Sequence, residues 1–457
     1  MIRSIVRYVD DRAAAAPILR KYLRYVFPDH WSFLLGEIAL YCFVILVLTG
    51  IYLTLFFDPS LAETTYRGSY EPLRGTTMSH AYRSTLHISF DVKAGLLIRQ
   101  THHWAANVFL VAITLHVLRV FFTGAFRKPR DLLWYVGVAM LMFAVLEGFL
   151  GYSLVDDLLS GMGLSIAYSV AMSIPLIGGN LALLIWGAPF PGAPEFESRM
   201  YILHVLLIPV AIGTLLAVHL LLIVARHHTQ FARRRATEKT VVGVPAFPGY
   251  IPRTLAVAFG TASVLFLLGG LVQINPIWQW GPFEPGLSTN GAQPDWYLGW
   301  LIGALRIVPG FDVVIADRTV IPNAFWGGAL FPLLVFGFLF LWPTIERRVT
   351  GDAGWHNLLD RPRDAPWRTA IGTAFFTWVA LVFLAGSADR IFLQLGFPYE
   401  WQVYAFRVGI FVVPVIAGWI AYQVARELRD SEPPVAEVVV RTPAGGFQST
   451  PIRPGSE

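Results

Sequence analysis

Four histidines lie inside apolar stretches long enough to cross a membrane, and they form two pairs with nearly equal spacing. His102 and His116 are 14 residues apart, and His204 and His219 are 15 apart. At about 100° per residue, each pair falls on or near one helix face, with its members about 21 Å apart along the axis. Two such helices side by side predict bis-histidine ligation of two stacked b-type haems in a helical bundle. His103 points about 100° away from His102 and is left out of this ligand set.

Two arginines and four glycines support this interpretation. Arg99 precedes His102 by three residues and Arg119 follows His116 by three, where a haem propionate would need a cation. Glycines that repeat the 14-residue step, and that would let a flat macrocycle approach the backbone, are Gly36, Gly50, Gly137 and Gly151. The alternatives are arginines that snorkel to the interface, glycines at helix contacts, and histidines that join helices or relay protons.

The composition is that of a polytopic membrane protein. Of 457 residues, 55% are hydrophobic and 14% are charged, and the mean hydropathy is +0.56. These values exclude an ordinary soluble enzyme and a disordered chain. The single cysteine, Cys42, excludes a disulfide framework, a cysteine-based zinc site and an iron–sulfur cluster held by this chain alone.

Eight apolar runs of about 20 residues predict eight transmembrane helices. The runs are residues 33–57, 101–123, 132–154, 200–225, 254–273, 324–343, 369–388 and 401–425. Residues 158–186 are also uncharged and could form a ninth span or a pair of interfacial helices. With eight spans, 23 Lys and Arg fall on one side and 8 on the other. The positive-inside rule therefore favours eight spans, with both termini on the cytoplasmic side of the plasma membrane.

The spans divide the chain into parts. We expect a cytoplasmic N-terminal segment at residues 1–32 and a four-helix bundle with the paired histidines at 33–235. A second group of four helices would occupy residues 250–430. The tail, 431–457, is rich in Pro and Gly and is predicted to be disordered.

Three motifs, with the glycine pairs, resemble cytochrome b of the quinol–cytochrome c reductase (cytochrome bc1) complex. They are Arg-Gln-Thr-His at 99–102, His-Val-Leu-Arg at 116–119 and Pro-Asp-Trp-Tyr at 294–297. The likeness covers about residues 20–430. Residues 27–37 and 156–161 are similar to the actinobacterial branch, in which the complex joins an aa3-type oxidase.

The resemblance implies a role for each matching residue. His102 and His204 would bind the low-potential haem near the outer face, and His116 and His219 the high-potential haem near the cytoplasm. The outer quinol-oxidation site would comprise Pro294, Asp295, Trp296, Tyr297, Tyr152 and Gly163. Asp295, Tyr297 and Tyr152 are its candidate catalytic residues. Because Asp295 would be partly buried, we expect it to titrate near neutral and to accept a quinol proton.

The implied activity is quinol oxidation with bifurcated electron transfer, coupled to proton release outside. The implied partners are a Rieske iron–sulfur subunit, a cytochrome c subunit, the oxidase and a second copy of the chain, with menaquinol as donor. Asp295 replaces the family's usual Glu, and the 15-residue histidine step matches cytochrome b6. Inner quinone-site candidates at suitable depth are Trp31, Ser32, His227, His228 and Arg253. The alternative functions are a dihaem anchor for another respiratory dehydrogenase and a proton-coupled transporter without haem.

Overall fold

The computed structural model describes residue 8 and residues 10–12, 15–233, 235–289, 293–431, 436–441 and 447–452. Within these residues, eight helices are long and apolar enough to span a membrane, which confirms the predicted all-α membrane fold. In chain order, the first to eighth spanning helices are Trp31–Thr54, Gly95–Phe122, Asp131–Ser153, Phe196–Arg226, Ala246–Leu271, Trp326–Thr350, Pro366–Arg390 and Tyr399–Asp430.

The ambiguous stretch after the third spanning helix forms two short helices, Leu158–Met172 and Gly178–Trp186. Asp157 begins the first of them, because its side chain accepts a hydrogen bond from the backbone N–H of Ser160 at 2.8 Å. Neither helix is long enough to cross a bilayer of about 30 Å. The interpretation with eight spans therefore holds.

Shorter elements connect the spans. Shorter helices in the described part of the chain include Ala15–Leu23, His80–Phe90, Ile277–Trp280 and Gly299–Ile307, with 3₁₀ turns at Glu71–Leu73, Trp296–Leu298 and Pro362–Asp364. Antiparallel strand pairs join Val26–Phe27 to Val244–Pro245, Glu63–Thr65 to Thr77–Ser79, and Val313–Ile315 to Arg318–Ile321. Gln230–Phe231 and Leu358–Leu359 pair in parallel.

The described part of the tail contains two strands, and its disorder stays a prediction from the sequence. Ala436–Arg441 and Phe447–Ile452 pair as antiparallel strands. The first strand carries three consecutive valines, whose β-branched side chains favour extended backbone. Residues 432–435, 442–446 and 453–457 lie outside the described residues.

The spanning helices pack so that an interior opens between two helix pairs. The first packs against the second, and the third packs against the fourth. The fifth, which the sequence assigned to the C-terminal part, packs against the first and second. The two predicted parts therefore share a common core, and their boundary stays a prediction.

A buried ion-pair network also joins the two parts. The Arg368 guanidinium, 6% exposed, donates to Glu346 at 2.6 Å and to Asp360 at 2.9 Å. Arg127, which follows the second spanning helix, lies 2.9 Å from the same Asp360 carboxylate. One carboxylate thus links a cation of the N-terminal part to one of the C-terminal part.

Candidate functional site

Each predicted histidine ligand faces one of the predicted glycines across the interior. An ideal Cβ added at the glycine would lie 3.3 Å from Cε1 of the imidazole for Gly36 and His116, 3.3 Å for Gly50 and His102, and 3.9 Å for Gly137 and His219. For Gly151 and His204 the added Cβ would lie 2.9 Å from Nε2 and closer still to Cε1. The missing side chains therefore leave space into which the imidazoles project.

Two cavities lie at two levels of the interior. One cavity, about 260 Å³, is lined by His102 and His204, and the other, about 450 Å³, by His116 and His219. They are named the outer and the inner cavity after the sides of the membrane that the sequence predicts for them. Each cavity is also lined by one arginine and by the two glycines that face its histidines. These are Arg99, Gly50 and Gly151 in the outer cavity, and Arg119, Gly36 and Gly137 in the inner cavity. The sequence-predicted sets are thus brought together as two separate groups.

The outer imidazoles leave room for a metal ion between them. The ring centroids of His102 and His204 are 6.3 Å apart, with the ring planes at 82°. That gap accommodates two metal–nitrogen bonds of about 2 Å each. Both histidines also have a neighbour at Nδ1, namely the Thr49 hydroxyl at 2.9 Å from His102 and the Glu147 carboxylate at 2.9 Å from His204. Nε2 is then the nitrogen that remains for a ligand bond.

A π-helical turn in the fourth spanning helix explains how a 15-residue step serves two levels. The turn covers Leu203–Leu207 and contains His204, and a regular α-helix follows from Ile208 to Arg226. In a uniform α-helix, 15 residues would rotate His219 about 60° away from His204. A π turn accommodates one extra residue, so both imidazoles face the third helix.

The two arginines have buried donors that fit an anionic group. Both guanidinium Nη atoms of Arg99 lie 3.3 Å from the carbonyl of Asn275, but its buried Nε has no partner among the described residues. In Arg119, Nε and Nη2 are both buried without a partner in the described part of the chain. Unpaired buried donors are costly, so each site suits a negatively charged group such as a propionate.

His103, which the sequence analysis left out, contacts the candidate proton acceptor. Its Nε2 lies 2.8 Å from both carboxylate oxygens of Asp295. The Tyr297 hydroxyl donates to Asp295 Oδ2 at 2.9 Å. The available signal was an ionisable side chain within a predicted membrane span.

The expectation that Asp295 titrates near neutral is wrong. Burial raises the pKa of its carboxyl, but the charge of His103 and the hydrogen bonds from His103 and Tyr297 outweigh burial and hold the pKa below its usual value. Asp295 is therefore ionised at neutral pH and has lone pairs available for a proton.

Two tyrosines share the outer cavity with Asp295. An ideal Cβ at Gly148 would lie 2.7 Å from the Tyr297 hydroxyl, so this glycine, missed in the sequence, makes room for it. The Tyr152 hydroxyl donates to the carbonyl of Leu159 at 2.8 Å. A Cβ added at Gly163 would lie 3.1 Å from the same hydroxyl oxygen. Pro294, Trp296 and Gly163 are near these residues but do not line the cavity.

The inner cavity extends to the Glu37 carboxylate, near the N-terminal end of the first spanning helix. Glu37 accepts hydrogen bonds from Tyr250 at 2.8 Å and from Thr254 at 2.6 Å. All three line the cavity, as do the predicted candidates His227 and His228. The other candidates, Trp31, Ser32 and Arg253, do not line it. Glu37 was visible in the sequence as a charge inside an apolar run.

Comparison with known proteins gives one consistent family. A family model described as "Cytochrome b(N-terminal)/b6/petB" matches residues 107–282. The cytochrome bc1 complex cytochrome b subunit of Corynebacterium diphtheriae is 45% identical over 434 residues, which cover 95% of this chain and 80% of that protein. The subunit of the same name from Mycobacterium leprae is 45% identical over 446 residues, with 96% and 80% covered.

A solved structure has a similar fold. A chain of a structure titled "Hyperthermophilic respiratory Complex III" matches with a TM-score of 0.67 and 21% sequence identity. The match covers 92% of this chain and 100% of that chain. At this identity the likeness shows that the two chains share the helical arrangement.

Proposed function

The chain belongs to the cytochrome b subunits of the cytochrome bc1 complex, a quinol–cytochrome c reductase, and from this premise we propose that it moves electrons between two quinone sites on opposite sides of a membrane. It is a multi-pass membrane protein. Membership of this family leaves no support for the two alternatives, an anchor of another dehydrogenase and a haem-free transporter.

The observation that carries the proposal is the pair of cavities, each entered by one imidazole from the second spanning helix and one from the fourth. His102 and His204 would hold an outer, low-potential haem b, and His116 and His219 an inner, high-potential one. Arg99 would pair with a propionate of the outer haem, and Arg119 with one of the inner. When bound, the two haems would supply one-electron carriers across the membrane.

The outer cavity would bind a quinol, and the resemblance of residues 27–37 and 156–161 to the actinobacterial branch implies menaquinol. Asp295 would accept a proton from a quinol hydroxyl, since its carboxylate is ionised and lines the cavity. Tyr297 and Tyr152 would orient the head group within the same cavity. Three further residues at the predicted site, Pro294, Trp296 and Gly163, would shape its surroundings.

Electron transfer would be bifurcated. One electron from each quinol would leave to a Rieske iron–sulfur subunit and the other would cross to the inner side, while two protons are released outside. At the inner cavity a quinone would be reduced beside Glu37, Tyr250 and Thr254, whose hydrogen-bonded oxygens suit proton uptake. Both termini would then be cytoplasmic, as the distribution of basic residues favours.

The chain would act within a larger assembly. The partners would be a Rieske subunit and a cytochrome c subunit of the bc1 complex. The resemblance of residues 27–37 and 156–161 to the actinobacterial branch implies, in addition, a dimer that joins an aa3-type oxidase in the plasma membrane. Such partners would cover parts of the apolar surface that this single chain exposes.

The test is Asp295→Ala in the assembled complex. Loss of a positioned general base is expected to lower quinol oxidation about 100-fold or more, while haem content stays unchanged. The matched control is Asp58→Ala, which removes a carboxylate of 44% exposure from a different hydrogen-bonded group. Unchanged turnover of Asp295→Ala would reject the role given to this carboxylate.

A further inference from the structure

The contact between His103 and Asp295 has a geometry that packing alone does not require. Nε2 lies at the same 2.8 Å distance from Oδ1 and Oδ2, so the imidazole faces the fork of the carboxylate. Both side chains are largely buried, with 13% exposed for His103 and 15% for Asp295. An ionised carboxylate only accepts hydrogen bonds, so Nε2 carries the donated proton.

The two residues reach this contact from elements of different rigidity. His103 belongs to the long second spanning helix, whose backbone hydrogen bonds fix its position. Asp295 precedes the short 3₁₀ turn Trp296–Leu298, and its own backbone is not helical, with φ −52° and ψ 146°. The helix therefore supplies the fixed point, and the carboxylate is the group that needs to be held.

The two oxygens of the Asp295 carboxylate accept different numbers of hydrogen bonds. Oδ2 accepts from both His103 and the Tyr297 hydroxyl, whereas His103 is the one donor to Oδ1 among the residues that the structure describes. Each carboxylate oxygen has about two lone-pair sites. Oδ1 thus keeps a free acceptor site beside the outer cavity, which His103, Asp295 and Tyr297 all line.

We propose that His103 is a positioning residue for quinol oxidation, because its Nε2–H holds the Asp295 carboxylate with Oδ1 directed to the quinol hydroxyl. This inference rests on the proposed function of the outer cavity. It adds no step to the chemistry: the quinol O–H bond still breaks and the proton still passes to Asp295. What His103 supplies is the orientation in which that transfer is fast.

The experiment uses the assembled complex and compares two substitutions of His103. His103→Leu removes the donor, and His103→Gln retains an N–H that can reach the carboxylate. We expect His103→Leu to lower kcat about tenfold or more with KM nearly unchanged, and His103→Gln to recover a large part of the loss. The matched control is Asn107→Leu. It removes a buried amide one helical turn further along, which donates to the backbone carbonyl of His103 at 3.0 Å.

The same substitution in an Asp295→Asn background separates positioning from a general structural effect. If His103 acts through the carboxylate, His103→Leu should lower kcat little further once Asp295 is replaced. Additive losses, or wild-type turnover of His103→Leu, would overturn the inference while leaving the quinol site intact. Wild-type turnover of Asp295→Asn would overturn both the inference and the proposed proton acceptor.

Haem content provides the remaining control, because His103 is next to a proposed ligand. Haem per polypeptide should be unchanged in His103→Gln. Loss of haem from this variant would overturn the inference, since His103 would then be required for assembly of the site rather than for orientation of Asp295.

Discussion

Gly151→Ala provides a sharp test of how the bundle makes room for its histidines. The added Cβ would lie 2.9 Å from His204 Nε2 and 3.1 Å from Nδ1. Ordinary heavy-atom contacts are about 3.5–4.0 Å, so the methyl group overlaps the imidazole by about 0.5 Å or more. Overpacking of this kind costs about 1–3 kcal/mol, which would lower the affinity of the outer site for its haem by about 5- to 140-fold.

The chain contains a matched control for this change. At Gly137 the nearest imidazole atom, Cε1 of His219, would be 3.9 Å from the added Cβ, an ordinary contact. Both substitutions also gain about 0.5–1 kcal/mol because alanine favours a helix over glycine. The difference between Gly151→Ala and Gly137→Ala therefore isolates the clash with His204.

The assay is haem per polypeptide, with reduced-minus-oxidised spectra to distinguish the two haems. We expect Gly151→Ala to lose the outer haem while the inner haem serves as an internal reference. Gly137→Ala should retain both. Equal haem content in the two variants would refute the argument that these glycines exist to admit the imidazoles.

Three further predictions concern buried charges. Arg368→Met removes the cation from the largely buried Glu346 carboxylate and leaves Asp360 with Arg127, and it should cost about 3–5 kcal/mol, measured as a fall in Tm. Arg253→Met, at an ion pair whose side chains are 54% and 51% exposed, should cost less than about 1 kcal/mol, and equal effects of the two substitutions would contradict this. Burial raises the pKa of Asp156 to about 7, so folding stability should fall as pH rises from about 4 to about 7, and Asp156→Asn should raise Tm at about pH 8 but not at about pH 4. A gain that is the same at both pH values would reject this assignment. Arg99→Leu should lower the outer-haem midpoint potential by about 60 mV, the shift for one tenfold change in a one-electron equilibrium, and a redox titration that finds no shift would remove Arg99 from the site.

The sequence predicted the features that depend on one helix at a time. Length and hydropathy predicted eight spans, and helical periodicity placed His102 and His116 on one face. The matching 14-residue glycine step predicted that these four glycines belong with the histidines, because such a repeat keeps its phase along a helix. That the imidazoles themselves face the glycines is a finding of the structure. These inferences needed no knowledge of which helices are neighbours.

The features that the sequence analysis missed depend on contacts between distant segments. His103 and Asp295 are 192 positions apart, and Glu37 and Tyr250 are 213 apart. Rotation about a single helix shows that His103 points away from His102 but not what it meets there. For the same reason the pKa of Asp295 was misjudged, since burial was foreseeable and its hydrogen-bond donors were not.

The π turn at His204 is an intermediate case. The 15-residue step was visible in the sequence and was interpreted as a small rotation off the common face. The structure accommodates the extra residue in a widened turn, which restores the alignment of His204 with His219. A spacing that departs by one residue from a helical repeat is therefore a usable signal for such a turn.

The central claim is that the two cavities hold two b-type haems, one between each histidine pair. The most direct test is a dithionite-reduced minus oxidised spectrum of the purified protein, with haem quantified per polypeptide in the parent and in His102→Ala and His116→Ala. The account predicts two haems per chain and loss of a different one in each variant. Absence of haem, or loss of the same haem in both variants, would contradict it.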